Sequence, residues 1–336
     1  MNLSTKYLGL TLENPLVVSA SPLSRSLDDT KKLEEAGAAA VVMYSFFEEE
    51  LLNEQERIDF FLAHQEFGNP ESSTRLGIPD SYRTGLDEYL EQLAALKKNL
   101  SIPVIASLNG VSTTGWVRHG KQLQEAGADA LELNAYYIAA NTEETGVEVE
   151  MQYVELLKEL RKEVSIPVAM KISPQFSSIA NMARRLEQAG ADGLVMFNRF
   201  YQPDIDLETL AVTPVLRLSN SEELPLAIRW VALLYGRLNL SFAVTGGVHS
   251  HEDVLKALLA GANVAQLCSV LLKHGPGKIT EILDGLRNWL QEREYESLAQ
   301  LIGSVSQKHT DKPTDFERSN YMRVLDTFTV PRGVWS

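Results

Sequence analysis

Four copies of one phrase limit what this chain can fold into. It reads KKLEEAGAAAVVMY at 31–44, KQLQEAGADALELN at 121–134, RRLEQAGADGLVMFN at 184–198 and KALLAGANVAQLCS at 256–269. Each copy is the end of an amphipathic helix, then Ala-Gly-Ala, then a short apolar run. The glycines Gly37, Gly127, Gly190 and Gly261 suit helix C-termini, where a left-handed residue without a Cβ avoids a clash. A second phrase interleaves with the first: SIPVIASLNG at 101–110, SIPVAMKISP at 165–174 and LSFAVTGGV at 240–248. With NPLVVSAS at 14–21 the strand count reaches eight. Strand and helix alternate throughout, and near-continuous apolar strands mark a parallel sheet covered on both faces. Eight such units predict a (β/α)₈ TIM barrel of the α/β class. A doubly wound open sheet is the alternative, but no G-x-G-x-x-G follows the first strand.

The loops after the strands are uneven. Long ones follow strand two (up to Ser101), strand four (Ala135–Val149) and strand six (Arg199–Glu223). Loops after barrel strands lie on the C-terminal face, where barrel chemistry is done. The domain reading is a barrel over residues 1–303 and a C-terminal extension over 304–336. The extension is expected to pack on the barrel or on a second subunit, which makes a homodimer one expected state.

Composition narrows the partners. The formal net charge is −14, which argues against nucleic acid and against an anionic membrane surface, since both select basic faces. A small anion in a local pocket remains compatible. Cys268 is the one cysteine, so no intramolecular disulfide or cysteine-ligated zinc cluster can form. No stretch approaches the ~20 apolar residues of a membrane-spanning helix, and the first apolar run is too short for a signal peptide. The expectation is a cytoplasmic protein that works on a small molecule.

Polar residues at the C-terminal ends of barrel strands form the functional inventory. Lys171, in Val-Ala-Met-Lys-Ile-Ser, stands in an apolar strand, where an ammonium needs an anionic partner. It either reaches solvent, supplies a cation to a cofactor or substrate, or acts as a Schiff-base nucleophile. Thr245-Gly246-Gly247 ends strand seven, and Ser250-x-x-Asp253 then resembles a capping box. Cys268-Ser269 ends strand eight. Loops seven and eight are the usual barrel phosphate site, and a bulky residue at Gly247 should block backbone approach to a phosphate. Ordinary tight turns are the structural alternative. Asn134 and Asn198 end two copies of the repeat and could read a planar heterocycle with carbonyl and N–H groups, or could bond nearby backbone. His249-x-His251 is read as surface histidines. Cys268 is read as a small buried hydrophobe. No metal site is expected.

These residues, in this order, resemble the FMN-dependent dihydroorotate dehydrogenases, from Leu8-Gly-Leu-x-Leu-x-Asn-Pro-Leu to about Ser304. Asn14-Pro15-Leu16 with Ser19-Ala20-Ser21 resembles the family's first strand and flavin-facing turn. Leu76-Gly77-Ile78-Pro79 resembles its second-loop motif, and Glu132-Leu133-Asn134 the end of strand four. Lys171 matches the family lysine that contacts the flavin, and Asn198 an asparagine of the substrate pocket. Leu218-Ser219-Asn220 with Pro225–Arg229 resembles the flavin-binding turn and following helix. Thr245-Gly246-Gly247 and Cys268-Ser269 match the phosphate loops.

The departures fall on the substrate side. Where the family has a cysteine or serine base, this chain has Tyr137. The strand-two lysine is Tyr44, the asparagine before Leu-Gly-Ile-Pro is Thr74, and the small hydroxyl residue after Asn198 is Arg199. The resemblance implies FMN held by Ala20, Ser21, Tyr44, Lys171, Ser219, Gly246, Gly247, Cys268 and Ser269. It implies a pyrimidine-like substrate, oxidised or reduced at a CH–CH bond and held by Asn134, Asn198 and Thr74. Lys171, Asn134 and Tyr137 are the expected catalytic residues, with Tyr137 moving the proton. Two rivals stand beside this reading: a Schiff-base lyase or aldolase using Lys171, and an FMN-binding member without turnover.

Overall fold

A computed structural model describes residues 1–47, 84–110, 113–325 and 327. Eight parallel strands close into a barrel: β1 (Leu16–Val18), β2 (Ala40–Phe47), β3 (Val104–Asn109), β4 (Ala130–Asn134), β5 (Val168–Ile172), β6 (Gly193–Met196), β7 (Ser241–Thr245) and β8 (Val264–Leu267). Each pairs with the next in sequence, and β8 closes on β1. The (β/α)₈ expectation holds.

Helices α1 (Leu27–Glu35), α2 (Gly85–Asn99), α3 (Thr113–Glu125), α4 (Gly146–Glu163), α5 (Ile179–Ala189), α6 (Leu224–Leu234) and α7 (His251–Ala260) follow strands one to seven in turn. A short α8 (Ser269–His274) and then α9 (Gly277–Glu292) follow β8. Their apolar stripes, such as Leu186 and Met182 on α5 and Leu258 and Val254 on α7, are buried against the outer faces of the strands.

The repeated phrase has a structural cause beyond its glycine. The polar residue after its leucine caps the backbone that opens a neighbouring strand. Glu34 Oε1 accepts from the Ser101 and Ile102 amides at 2.7 and 3.2 Å. Gln124 Oε1 accepts from Ser165 and Ile166 at 2.7 and 3.0 Å, and Glu187 Oε1 from Asn239 at 2.6 Å. The aspartate of Ala-Gly-Ala-Asp does the same one step on: Asp129 accepts from Val104 N at 2.7 Å and Asp192 from Val168 N at 2.8 Å. The phrase therefore latches the N-terminal face, the stability face of such a barrel. The four repeat glycines have φ of 97° to 121°.

An antiparallel hairpin, Thr5–Tyr7 with Leu10–Leu12, plugs the N-terminal mouth. Its Tyr7, Leu8 and Leu12 form one buried cluster with Val17, Val42, Ile105, Ala130, Ala169, Val195, Ala243 and Val264. These are the inward positions of the strands. Side chains alternate across a strand with period two, so the next inward layer is Ser19, Ser107, Glu132, Lys171, Phe197, Thr245 and Gln266, with Ser45 brought level with Ser107 by a register shift after Val42. Apolar and small below, mostly polar above, the alternation alone delivers a polar floor to the C-terminal mouth.

The loop from β6 to α6 carries an exposed hairpin, Asp204–Asp206 with Ala211–Thr213. Beyond a short α10 (Leu298–Leu301), the extension runs along the barrel. Val305 N donates to Leu259 O, Gln307 N to Ala232 O, and Arg229 Nε to Phe316 O. The last described helix, α11 (Arg318–Leu325), buries none of its residues.

Candidate active site

A cavity of about 480 Å³ opens at the C-terminal mouth of the barrel, within the ~300–1,000 Å³ range of small-molecule and cofactor pockets. Most of the expected site residues meet there. Ala20, Ser21, Tyr44, Asn134, Lys171, Asn198, Ser219, Gly246, Gly247, Cys268 and Ser269 all line it.

The floor is a buried ionic chain. Lys171 Nζ donates to Glu132 Oε1 at 3.2 Å. Gln266 Nε2 donates to Glu132 Oε2 at 2.7 Å, and Ser19 Oγ donates to Gln266 Oε1 at 3.1 Å. Glu132 is only 1% exposed, and both of its oxygens are partnered, as burial of a carboxyl group demands. Sequence reasoning noted Glu132 as a strand end, gave it no role, and passed over Gln266. Their signal was the period-two register with Ala130 and Val264. An ammonium has three donors, and one of Lys171's is committed to Glu132, so the others face the cavity.

The amide pair stands beside it. Asn198 Nδ2 donates to Asn134 Oδ1 at 2.5 Å. Each amide keeps unused capacity for a ligand with alternating donors and acceptors. Tyr44 carries the Arg25 guanidinium 4.3 Å above its ring. Arg25, which sequence reasoning missed, thus brings a cation to the strand where the family has a lysine.

Strands seven and eight build a cradle. Ser269 Oγ accepts from Ser219 N at 3.0 Å, and Lys273 Nζ donates to Ser219 O at 2.8 Å. The Ser219 hydroxyl meets His249 Nε2 at 3.2 Å. The predicted capping box opens α7: Asp253 N donates to Ser250 Oγ, and Asp253 Oδ2 accepts from Ser250 N. Gly246 and Gly247 have φ of 80° and 84°, but their roles differ. A Cβ on Gly247 would meet Leu224 N at 2.7 Å and Asn220 O at 2.9 Å, whereas one on Gly246 meets nothing within 4 Å. Both glycines line the cavity, but a side chain on Gly247 would first meet the backbone that opens α6, while one on Gly246 would meet open space. Gly247→Val should therefore lower stability in urea unfolding, through contact with fixed backbone. Gly246→Val, strained by its positive φ but free of backbone contact, should lose less stability than Gly247→Val and should lose flavin affinity. The reverse pattern would contradict this assignment.

Three expectations need comment. Thr74, with the Leu76–Pro79 motif, lies outside the described residues. Tyr137 does not line the cavity; its hydroxyl donates to Glu144 Oε2 at 2.7 Å, and that hydrogen bond holds its pKa above the ordinary phenol value. The expectation that Tyr137 moves the proton is not supported by this placement, and Tyr136 takes the place on the cavity wall. Cys268 does line the cavity, but burial pushes its thiol pKa up, with only partial relief from Lys171 and Arg199. Iodoacetamide at pH 8 should alkylate it more slowly than a free thiol and at the free rate after unfolding. Equal rates would place a thiolate in the cavity.

The residues present fit FMN on their own geometry. Ser21 Oγ is buried without a partner among the described residues, Lys171 has donors to spare, and Gly246 leaves backbone exposed on the side where a phosphate would approach. Among the described residues, no helix is long and apolar enough to cross a membrane.

The family model for dihydroorotate dehydrogenase matches residues 2–290. The catalytic subunit of dihydroorotate dehydrogenase B (NAD(+)) from Thermoplasma acidophilum is 27% identical over 310 residues, covering 90% of this chain and 98% of that protein. Its counterpart from Pyrococcus furiosus is 26% identical over 317 residues, with 90% and 98% covered. That from Caldicellulosiruptor saccharolyticus is 24% identical over 316 residues, with 91% and 100% covered. With a match across the whole barrel and a cavity at its catalytic face, the chain belongs to the dihydroorotate dehydrogenase family of flavin-dependent oxidoreductases.

Proposed function

We propose that the chain uses FMN to oxidise or reduce a CH–CH bond in a small, polar, pyrimidine-like substrate. The observation that carries this reading is the buried Ser19–Gln266–Glu132–Lys171 chain on the floor of the cavity. It fixes a cation at the centre of the mouth without exposing it to water. Lys171 would hold a bound flavin by its remaining N–H groups and supply the positive charge that favours a reduced, anionic ring. Gly246, Gly247 and Ser269 hold the phosphate end, with Ser21 donating its free hydroxyl. Ala20, Tyr44, Ser219 and Cys268 complete the wall around the cofactor. FMN, when bound, supplies the two-electron chemistry, taking or giving a hydride at its N5.

The protein's part in the reaction is orientation and proton transfer. Asn134 and Asn198 present amide donors and acceptors in one plane of contact and fix the substrate ring. Tyr44, Tyr136 and Tyr201 are the phenols on the cavity wall among the described residues, and proton transfer falls to one of them. Tyr137→Phe should leave the rate of flavin reduction unchanged. One of Tyr44→Phe, Tyr136→Phe and Tyr201→Phe should lower it by ~10²–10⁴, the usual worth of a positioned general base. If Tyr137→Phe gave that loss and none of these three did, the turned-away placement of Tyr137 would be wrong.

The Schiff-base reading is disfavoured by Glu132. An amine nucleophile is activated in apolar or cationic surroundings, while Lys171 is paired with a buried carboxylate. The deciding experiment is anaerobic mixing of the purified protein with 5,6-dihydropyrimidines, followed at the flavin absorbance. Bleaching is expected with at least one of them. Absence of bleaching, with borohydride trapping of a carbonyl compound on Lys171, would replace this function by a lyase.

A further inference from the structure

Every charged side chain lining the cavity, among the described residues, is a cation: Arg25, Lys171 and Arg199. This is a local reversal in a chain of net charge −14. Lys171 is matched by Glu132 beneath it, and Arg25 has no carboxylate partner among the described residues. Arg199 is half matched. Its Nη2 donates to Glu223 Oε1 at 3.2 Å, and its guanidinium lies 5.7 Å from the Tyr201 ring. Its Nη1 is buried and has no acceptor among the described residues. A buried guanidinium N–H without a partner is costly, and the planar fork suits an anionic oxygen better than any neutral acceptor.

Its position says what that oxygen belongs to. Arg199 follows Asn198, whose amide bonds Asn134, and all three side chains line the same cavity. Phe197, Asn198, Arg199, Thr245 and Gly246 also line a neighbouring cavity of about 410 Å³. An anionic substituent on a ring held by the asparagines has both a donor and room on this side.

We propose that Arg199 determines substrate specificity by binding, through Nη1, a carboxylate carried by the substrate on the Asn134–Asn198 side of the cavity. This rests on the oxidoreductase reading above and adds to it the charge class of the substrate and the residue that reads it. The flavin phosphate offers similar chemistry, so the test separates the two sources.

The holoprotein is titrated with orotate and with uracil, which share a ring and differ in the carboxylate, and the flavin spectrum is followed. The parent should bind orotate more tightly than uracil. Arg199→Met should weaken orotate about ten- to hundredfold, the range for a hydrogen bond to a charged group, and leave uracil and flavin retention unchanged. Arg199→Lys, which keeps the charge but not the fork, should recover part of the loss. Unchanged orotate binding in Arg199→Met overturns the proposal. So does equal loss of both ligands, which would mark a structural role. Release of flavin from Arg199→Met, with unchanged uptake of riboflavin, overturns it by assigning Nη1 to the cofactor phosphate. Inorganic phosphate, which has no ring, is the third probe. If the parent ignores both pyrimidines but responds to phosphate, and Arg199→Met does not, the anion site stands and the pyrimidine reading fails. If the parent responds to none of the three, the anion site fails.

Discussion

Lys171→Met is expected to lower stability by about 3–5 kcal/mol, because it leaves Glu132 as an uncompensated buried charge, and to abolish flavin retention. Glu132 is 1% exposed and, among the described residues, its only cationic partner is Lys171 at 3.2 Å. Gln266 at 2.7 Å satisfies one oxygen but carries no charge. The stability loss and the functional loss have different causes, and a second substitution separates them. In Lys171→Met with Glu132→Gln the buried charge is gone and the Gln266 contact can persist. Replacing both members of a buried pair is often close to neutral, so most of the stability should return. Flavin retention should not, because the cation at the ring is still missing. Urea unfolding and flavin stoichiometry measure the two effects independently. If the double variant regained flavin, Lys171 would be a structural residue and the floor of the site would need another function.

Dihydroorotate itself should reduce the flavin ~10²–10⁴-fold more slowly than it does in a family member that carries the cysteine or serine base, the range lost when a general base is misplaced. The matching position here is Tyr137, and its hydroxyl is tied to Glu144 at 2.7 Å, outside the cavity wall. Proton removal then depends on Tyr44, Tyr136 or Tyr201, which stand elsewhere on the cavity wall. Binding of the ring should suffer less than the rate, since Asn134 and Asn198 both line the cavity. Stopped-flow bleaching under anaerobic conditions, side by side with such a member, gives the ratio. Equal rates would mean that a phenol on the wall replaces the family base without penalty.

The barrel was legible because its signals are local and repeated. Leu33, Leu123 and Leu186 sit at one position of the repeat, and the residue after each caps a neighbouring strand, so the helix–turn–strand unit could be counted from the phrase alone. One wall of the cavity was legible for the same reason: Thr245-Gly246-Gly247 and Cys268-Ser269 sit where the strand ends must be. Which glycine has open space beside it was not, since that depends on α6 packing over Gly247, a contact between segments distant in pattern. Glu132 and Gln266 could have been assigned from strand register, because Ala130 and Val264 put them inward two residues later. The choice between Tyr136 and Tyr137 follows the same parity. Asn134 faces in, and the chain keeps that alternation for one more step although the strand ends there. Arg25 left no sequence signal, as its partner is the ring of Tyr44 across a turn. Thr74 stays an expectation from resemblance.

The identity of the flavin in purified protein tests the account most directly. Acid release followed by mass measurement should give FMN in stoichiometric amount. A colourless protein that also fails to take up added FMN, or one that carries FAD, would contradict the phosphate cradle at strands seven and eight and with it the proposed function.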